Sequence, residues 1–164
     1  MIQKKPATQF DICLIQDLAR RSWEDAYADI LSKEQLEYML EKMYSEHEII
    51  FHLQNPNYHY FIILDDEEPL GFVGFEHHVE FNTTKLHRIY LVPEAKGKGA
   101  GKFGLNLVKE HTQSVGDNRI ILTVNKNNVA RQFYESQNYK VYGEAVFDIG
   151  NGYVMDDYLM EFNL

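Results

Sequence analysis

The chain has 164 residues, of which 45% are hydrophobic and 13% are aromatic, and its formal net charge is −9. This composition predicts one compact domain over residues 1–164 and excludes a disordered chain, a membrane span of roughly 18 apolar residues and a secretory signal at the N-terminus. The acidity argues against DNA or RNA as partners and would attract cations such as amines or polyamines, although it can also serve solubility alone.

The N-terminal part of the chain predicts an edge strand over 2–7 and then a helix from Asp11 to about Ala28. One side of this helix is expected to be buried, and it carries Ile12, Ile15, Leu18, Ala19, Ser22 and Trp23. Cys13 lies in the same apolar pattern, which predicts a buried structural thiol. As the single cysteine it cannot form an internal disulfide, and we expect the chain to reside in a reducing cytoplasm.

Capping residues and apolar periodicity predict the remaining elements. Ser32 is a good N-cap with Gln35 at the capping-box position, and Ser45 can cap a further helix. The predicted elements after the first helix are helices to about 43 and 53, strands over 58–64, 70–81 and 85–92, a helix over 101–115, a strand over 119–124, a helix over 129–137, and strands over 140–148 and 153–162. Antiparallel strands followed by a βαβ unit predict an α/β (α+β) three-layer sandwich.

The most informative segment is residues 89–104, which reads Ile-Tyr-Leu-Val-Pro-Glu-Ala-Lys-Gly-Lys-Gly-Ala-Gly-Lys-Phe-Gly. An apolar strand is followed by a loop with glycines at 97, 99 and 101 and then by an amphipathic helix. Glycines let a backbone approach a bulky anion, and a helix N-terminus offers unpaired N–H groups. The segment therefore predicts a site for a phosphate or pyrophosphate.

Two other phosphate-binding loops fit this segment less well. A P-loop would need glycine where Lys96 stands and a hydroxyl where Phe103 stands. The dinucleotide pattern G-x-G-x-x-G does match at residues 99–104, but the strand over 119–124 lacks the acidic residue that should follow it. A nicotinamide cofactor is therefore the weaker alternative.

Two motifs resemble the GNAT N-acetyltransferases. Residues 96–101 are similar to the Q/R-x-x-G-x-G/A pyrophosphate loop of that superfamily, with Lys96 in the Gln/Arg position. Residues 122–139 resemble its L-x-V-x-x-x-N-x-x-A-x-x-x-Y-x-x-x-G-F motif, and the residues in register are Leu122, Val124, Asn127, Ala130 and Tyr134. Asn138-Tyr139 replaces the usual Gly-Phe, and Asn tolerates the left-handed backbone that a helix C-cap requires.

The resemblance implies a GNAT fold, with a mixed central sheet splayed between its fourth and fifth strands, and acetyl-CoA as the cofactor. The residues that it assigns to cofactor binding are Ile89, Tyr90, Leu91, Lys96, Gly97, Lys98, Gly99, Ala100, Gly101, Lys102, Asn127 and Tyr134. It also implies direct transfer to an amine in a ternary complex, in which the backbone near Leu91 polarises the acetyl oxygen and Tyr134 protonates the leaving thiolate.

The base and the acceptor site are less strongly indicated. By strand alternation His87 should share a face with Ile89 and Leu91, so it is the candidate base, although a chain of water molecules could serve instead. Aromatic and acidic side chains suit an ammonium ligand, and the candidates for the acceptor site are Trp23, Tyr27, Glu76 and Asp156. No metal site is predicted.

The whole-chain pattern is loosely similar to bacterial GNAT members near the spermidine/spermine and ribosomal-protein N-acetyltransferases, through Trp23-x-x-x-Tyr27 and the segment 155–160. The expected acceptor is a small cationic amine or polyamine. A protein N-terminus or lysine, and a non-catalytic coenzyme A-binding domain, remain alternatives. A homodimer is possible, and no membrane partner is expected.

Overall fold

A computed structural model describes residues 1–164 of the chain. Its helices and strands follow the predicted order closely. They are β1 Ile2–Pro6, α1 Ile12–Ala26, α2 Lys33–Tyr44, α3 Glu46–Leu53, β2 Tyr58–Asp65, β3 Glu68–Glu80, β4 Thr83–Leu91, α4 Ala100–Ser114, β5 Arg119–Asn125, α5 Ala130–Ser136, β6 Lys140–Gly150 and β7 Tyr153–Asn163. None of the five helices combines the length and the apolar composition that crossing a bilayer requires.

The N-terminal helices are specified by local signals. The buried side of α1 consists of the six residues predicted from the sequence. Ser32 Oγ accepts from the backbone N–H of Gln35, and Ser45 Oγ accepts from that of Glu48, so both serines cap helices as predicted. The prediction for Cys13 is wrong, because its side chain is exposed. It follows Ile12 by one residue, which turns it by about 100° away from the buried side.

All seven strands form one mixed sheet in the order β1-β2-β3-β4-β5-β7-β6. The only parallel pair, β4 with β5, is joined over just three residue pairs, which end at Lys85 and Ile121. Beyond that point the two strands separate, so that residues 86–91 face residues 122–125 across a gap. The predicted splay between the fourth and fifth strands is therefore confirmed.

Two apolar clusters cover the two faces of the sheet and create three layers. One cluster lies between the sheet and α1, α2 and α3, and its largest side chains include Trp23 and Phe72. The other lies beneath α4 and α5 and includes Phe75 and Leu105. This arrangement confirms the predicted sandwich and leaves the gap open at the C-terminal end of β4.

A β-bulge in β4 changes which way His87 points. Gly74 of β3 pairs with Arg88, whereas the next residue, Phe75, pairs with Leu86, so His87 has no partner across the ladder. The His87 ring stacks on Tyr58 in the cluster under α1–α3, while Ile89 packs in the cluster under α4. The prediction that these two residues share a face is wrong, because strand alternation fails at the bulge.

The C-terminal turns use residues that tolerate positive φ. Asn138 has φ 71° directly after α5, where the sequence predicted a left-handed cap. Asn151 and Gly152 have φ 54° and 79° and close the hairpin between β6 and β7. This hairpin returns β7 to the side of β5 that faces away from β4 and the gap.

Candidate active site at the splayed strands

Backbone groups of β4 face the gap without partners from β5. Val92 donates its N–H to the Leu70 carbonyl of β3 at 2.9 Å. Since successive N–H groups of a strand point to opposite sides, the N–H of Leu91 points away from β3 and into the gap. A donor in this position can bind the carbonyl oxygen of a ligand that enters between the strands.

The glycine loop borders a cavity of about 610 Å³, which we call the loop cavity. Gly97 and Gly99 have φ 81° and 77°, and a Cβ on either would have nothing within 4 Å. Gly99 is also the N-cap of α4, which leaves the first N–H groups of that helix without a capping side chain. The loop is thus an open concave surface of N–H donors, as binding of a phosphate requires.

The lysines of the loop differ in their surroundings. Lys98 forms an ion pair with Asp65 at 3.1 Å, and Asp65 also binds the chain N-terminus at 3.0 Å. Lys96 and Lys102 line the loop cavity and form no ion pair. These two lysines are therefore the cations available to an anion in the cavity.

A second, smaller cavity of about 260 Å³ reaches the gap, and we call it the splay cavity. It shares Leu91, Gly101 and Phe133 with the loop cavity, so the two are continuous. Its inner wall carries three phenols, from Tyr27 of α1, Tyr90 of β4 and Tyr134 of α5. Burial, with Tyr90 and Tyr139 nearby, raises the pKa of Tyr134 well above its ordinary value, so this phenol holds its proton at neutral pH.

A third cavity, of about 440 Å³, lies on the α2 side of the gap, and we call it the outer crevice. Thr123 of β5 lines both the outer crevice and the splay cavity. The charged residues of the crevice are Lys42, Glu48, Lys85, Arg88 and Asp148. A molecule in the crevice would therefore meet both signs of charge.

The sequence model of the acetyltransferase (GNAT) family matches residues 15–139 of the chain. The chain belongs to the GNAT family. It is similar to the spermidine N(1)-acetyltransferase of Thermoplasma acidophilum, with 29% identity over 136 residues that cover 80% of this chain and 83% of that protein.

Solved GNAT structures have the same fold. The PaiA N-acetyltransferase of Thermoplasma acidophilum, in complex with coenzyme A, superposes with a TM-score of 0.81 at 24% identity over 100% of this chain and 99% of that one. The ribosomal-protein-S18-alanine N-acetyltransferase of Escherichia coli superposes with a TM-score of 0.73 at 16% identity, over 99% and 94%. As a GNAT enzyme, the chain is an acetyltransferase that uses acetyl-CoA.

Most residues that the GNAT motifs assign to the cofactor surround these cavities. Ile89, Tyr90, Leu91 and Tyr134 line the splay cavity, and Lys96, Gly97, Gly99, Ala100, Gly101 and Lys102 line the loop cavity. Asn127 does not line either one, since it is exposed in the turn before α5. The neighbouring Asn128 lines both cavities, and its Oδ1 accepts from the N–H of Ala130, the first residue of α5, at 2.9 Å.

Asn127 belongs to the turn between β5 and α5. The helix starts at Ala130, so Asn127 lies outside it and shares no helical face with Tyr134. Instead, the backbone N–H of Asn127 donates to Asn125 Oδ1 at 2.9 Å in a tight turn.

His87 lies beside the site without lining its cavities. Its Nε2 is 3.0 Å from Glu76 Oε1. Burial, with Lys85 and Arg88 close by, lowers the pKa of His87 to about 3. The neutral ring therefore donates to Glu76, and such a low pKa makes His87 a weak proton acceptor at neutral pH.

The predicted acceptor residues are scattered. Trp23 is only 1% exposed and packs against Tyr27, Tyr90 and Tyr44 in the core, while Tyr27 itself lines the splay cavity. Glu76 is engaged by His87 and Asn55. Asp156 forms an ion pair with Lys126 at 3.0 Å on the outer side of β7. Of the four residues, only Tyr27 lies in these cavities.

Sequence reasoning missed several residues that line the site. They are Asp25 and Ala26 at the end of α1, Thr123 on β5, and Asn128 and Phe133 around α5. Near the end of α1, only Trp23 and Tyr27 were predicted from the sequence. Thr123 could have been found, because it alternates along β5 with the buried Leu122 and Val124 and so faces the gap.

Proposed function

We propose that residues 1–164 form one acetyltransferase domain that transfers the acetyl group of acetyl-CoA to a primary amine, directly and in a ternary complex. The main observation behind this proposal is that a phenol and a free backbone N–H border the same cavity. The phenol of Tyr134 and the gap that receives the Leu91 N–H border the splay cavity, which continues into the glycine loop. A proton donor for the sulfur and an N–H donor for the oxyanion therefore border the same cavity.

The residues of the path fit coenzyme A. The loop from Lys96 to Lys102 would hold the pyrophosphate, because the open space beside Gly97 and Gly99 admits a bulky anion. The free backbone edge of residues 89–91 would hold the pantetheine arm. Bound acetyl-CoA supplies a thioester, and Tyr134 keeps a phenolic proton that it can give to the sulfur.

We propose that the acceptor enters through the outer crevice, on the other side of Thr123. The net charge of −9 supports a cationic amine or polyamine, as does the similarity to a spermidine N(1)-acetyltransferase. Spermidine is therefore the first acceptor to test.

One observation favours a second class of acceptor, an amine that also carries a carboxylate. Arg88 is buried, and its guanidinium binds only the Tyr58 hydroxyl at 3.2 Å and the Met43 carbonyl at 3.3 Å, while Nε has no partner. Lys85 beside it forms no hydrogen bond or ion pair, and burial lowers its pKa. Neither cation forms an ion pair, and Glu76, which lies opposite Lys85 in the sheet, is held by His87 and Asn55. An anionic group on the ligand would therefore suit this site.

A panel of acceptors tests the proposal, with release of the free thiol of coenzyme A as the signal. The panel contains spermidine, several amino acids and a peptide with a free N-terminus. Turnover with one of them supports transfer to an amine and selects the class. Binding of coenzyme A without turnover of any amine would favour a non-catalytic domain. Thermal stabilisation by NAD(H) instead of coenzyme A would contradict the cofactor assignment.

A further inference from the structure

Asp157 lies on β7, which is next to β5 on the side away from β4. Its Cα pairs with that of Asn125 on β5, beyond the last rung that joins β5 to β4. Thr123 lies diagonally across from Asp157 on the same face of the sheet, since residues two apart along a strand face the same side. Thr123 in turn lines both the splay cavity and the outer crevice.

The neighbouring acid, Asp156, points the opposite way. It is about half exposed and binds Lys126, whereas Asp157 is 7% exposed. Asp157 forms no salt bridge, and its Oδ1 is buried without a hydrogen-bond partner. A buried carboxylate oxygen without a partner is costly, so the site is incomplete without a cation or a donor.

The groups around Asp157 do not supply that cation. Tyr90 faces it from β4 and Thr123 from β5, and Lys126 at the end of β5 is held by Asp156 and Glu144. Arg88 on β4 is turned toward tyrosines. Burial, with Asp156 nearby, raises the pKa of Asp157 to about 6, and the Thr123 hydroxyl partly opposes this rise.

We propose that Asp157 is the proton acceptor for the acceptor amine, reached from the outer crevice past the hydroxyl of Thr123. The inference deepens the proposed function and rests on it. The Asp157 carboxylate, beside Thr123, would bind the ammonium and take its proton when the amine reaches the splay cavity. It replaces His87, which is neutral and bonded to Glu76.

The protons balance in this scheme. An ammonium acceptor has three N–H protons, and the amide product keeps one. The first proton goes to Asp157 and from there to water. As the C–N bond forms and the C–S bond breaks, Tyr134 gives its proton to sulfur and is restored by the second proton of the nitrogen. The net products are the amide, the free thiol and one proton released.

The first test compares Asp157→Asn with Glu110→Gln, which removes an exposed acid of α4 that forms no ion pair. The acceptors are spermidine, or the best amine of the panel, and hydroxylamine, which is already neutral at pH 7 and needs no base. We expect Asp157→Asn to lower kcat/KM for the basic amine on the order of 10²-fold. Its rate with hydroxylamine and its affinity for coenzyme A should stay close to those of the wild type.

The pH profile adds a readout that a structural role would not move. In the wild type, kcat/KM should fall as pH drops through about 6, because Asp157 must be ionised to accept a proton. In the Asn variant this limb should disappear, and the rate should keep rising toward the pKa of the amine itself. An unchanged profile, or an equal loss with hydroxylamine, would overturn the inference.

A second measurement does not depend on turnover. Carbon-13 labelling of the aspartate carboxyls identifies the Asp157 signal as the one missing from Asp157→Asn, and its titration gives the pKa directly. Saturating the coenzyme A-bound protein with spermidine should lower that pKa, because an adjacent ammonium favours the carboxylate. If no amine is acetylated, the proposed function fails; if the Asp157 signal does not respond to spermidine, the inference about Asp157 fails.

Discussion

Gly99 and Gly116 border the two ends of α4, and both have a positive φ of similar size. Their φ values are 77° and 84°, and a Cβ on either residue would have nothing within 4 Å. Gly99 lies in the loop that faces the loop cavity, whereas Gly116 follows the far end of the helix. Substitutions at these two glycines therefore distinguish the effect of backbone strain from the effect of blocking the anion site.

Gly99→Val should weaken acetyl-CoA binding at least tenfold, which is about 1.4 kcal/mol. A side chain there projects into the space that the pyrophosphate would occupy, and it forces a β-branched residue into the left-handed region. Calorimetric titration of the folded variant measures the effect directly.

Gly116→Val is the matched control. It should lose a similar amount of stability, since its φ is also positive, but it should bind acetyl-CoA as the wild type does. Equal loss of affinity in both variants would mean that strain in α4, and not contact at the loop, reduces binding. Unchanged affinity of folded Gly99→Val would contradict the assignment of the loop.

Tyr134→Phe should lower kcat on the order of 10²-fold while leaving acetyl-CoA affinity nearly unchanged. The change keeps the buried ring and deletes only the hydroxyl that would protonate the sulfur. The control is Tyr139→Phe, which deletes a buried hydroxyl without a partner from a ring 6.0 Å away. Full turnover of Tyr134→Phe with a real acceptor would show that water or another group is the donor.

Much of the fold could be predicted because its signals are local. The buried side of α1, the serine caps and the glycine loop each depend on residues close together in the chain. The splay could be predicted only through the resemblance to GNAT proteins. Its physical basis is the three-pair contact between β4 and β5, which depends on residues 36 positions apart and therefore leaves no mark in local periodicity.

The site was harder to predict because a shift of one residue in a strand pairing changes which side chains point toward it. The bulge at His87 depends on how Gly74 and Phe75 pair across the sheet. Strand alternation shows that Asp156 and Asp157 point in opposite directions, but the sequence does not show which of them points inward. That choice is set by the register of β7 against β5, where Asp157 pairs with Asn125.

Lys85→Gln should shift acceptor selectivity. Removing this unpaired cation from the outer crevice should lower kcat/KM for amines that carry a carboxylate at least tenfold, about 1.4 kcal/mol, and raise it for spermidine. Lys140→Gln, on the exposed edge strand β6, changes the net charge equally and should leave the ratio unchanged. If both variants shift the ratio alike, the overall charge of the protein sets selectivity and the crevice does not.

Acid should destabilise the protein through His77, whose place in a hydrogen-bond chain fixes its tautomer. Thr84 donates its hydroxyl to Asp117 Oδ2 at 2.8 Å, so it accepts from Nδ1–H of His77, also at 2.8 Å. Nε2 of His77 is then unprotonated, and it is buried without a partner. A proton at Nε2 would place a charge in the core.

The sign of the effect follows from the pKa. Burial, with His59, His111 and His78 adding and Asp117 opposing, lowers the pKa of His77 from 6.5 to about 4. Between these two values the unfolded chain binds more protons than the folded one, so stability is complete above pH 6.5 and falls as the pH drops toward 4. The contribution of His77 is about 3 kcal/mol.

Urea unfolding at several pH values between 7.5 and 4 measures this loss, and His77→Asn tests its origin. The Asn amide can still donate to Thr84 but takes up no proton, so the variant should be less stable at pH 7.5 and should lose less stability on acidification. Part of the slope should remain, because burial lowers the pKa of His87 to about 3. His47→Asn, on the exposed side of α3, should keep the wild-type slope. An unchanged slope in His77→Asn would mean that its Nε2 takes up a proton in the folded state at little cost.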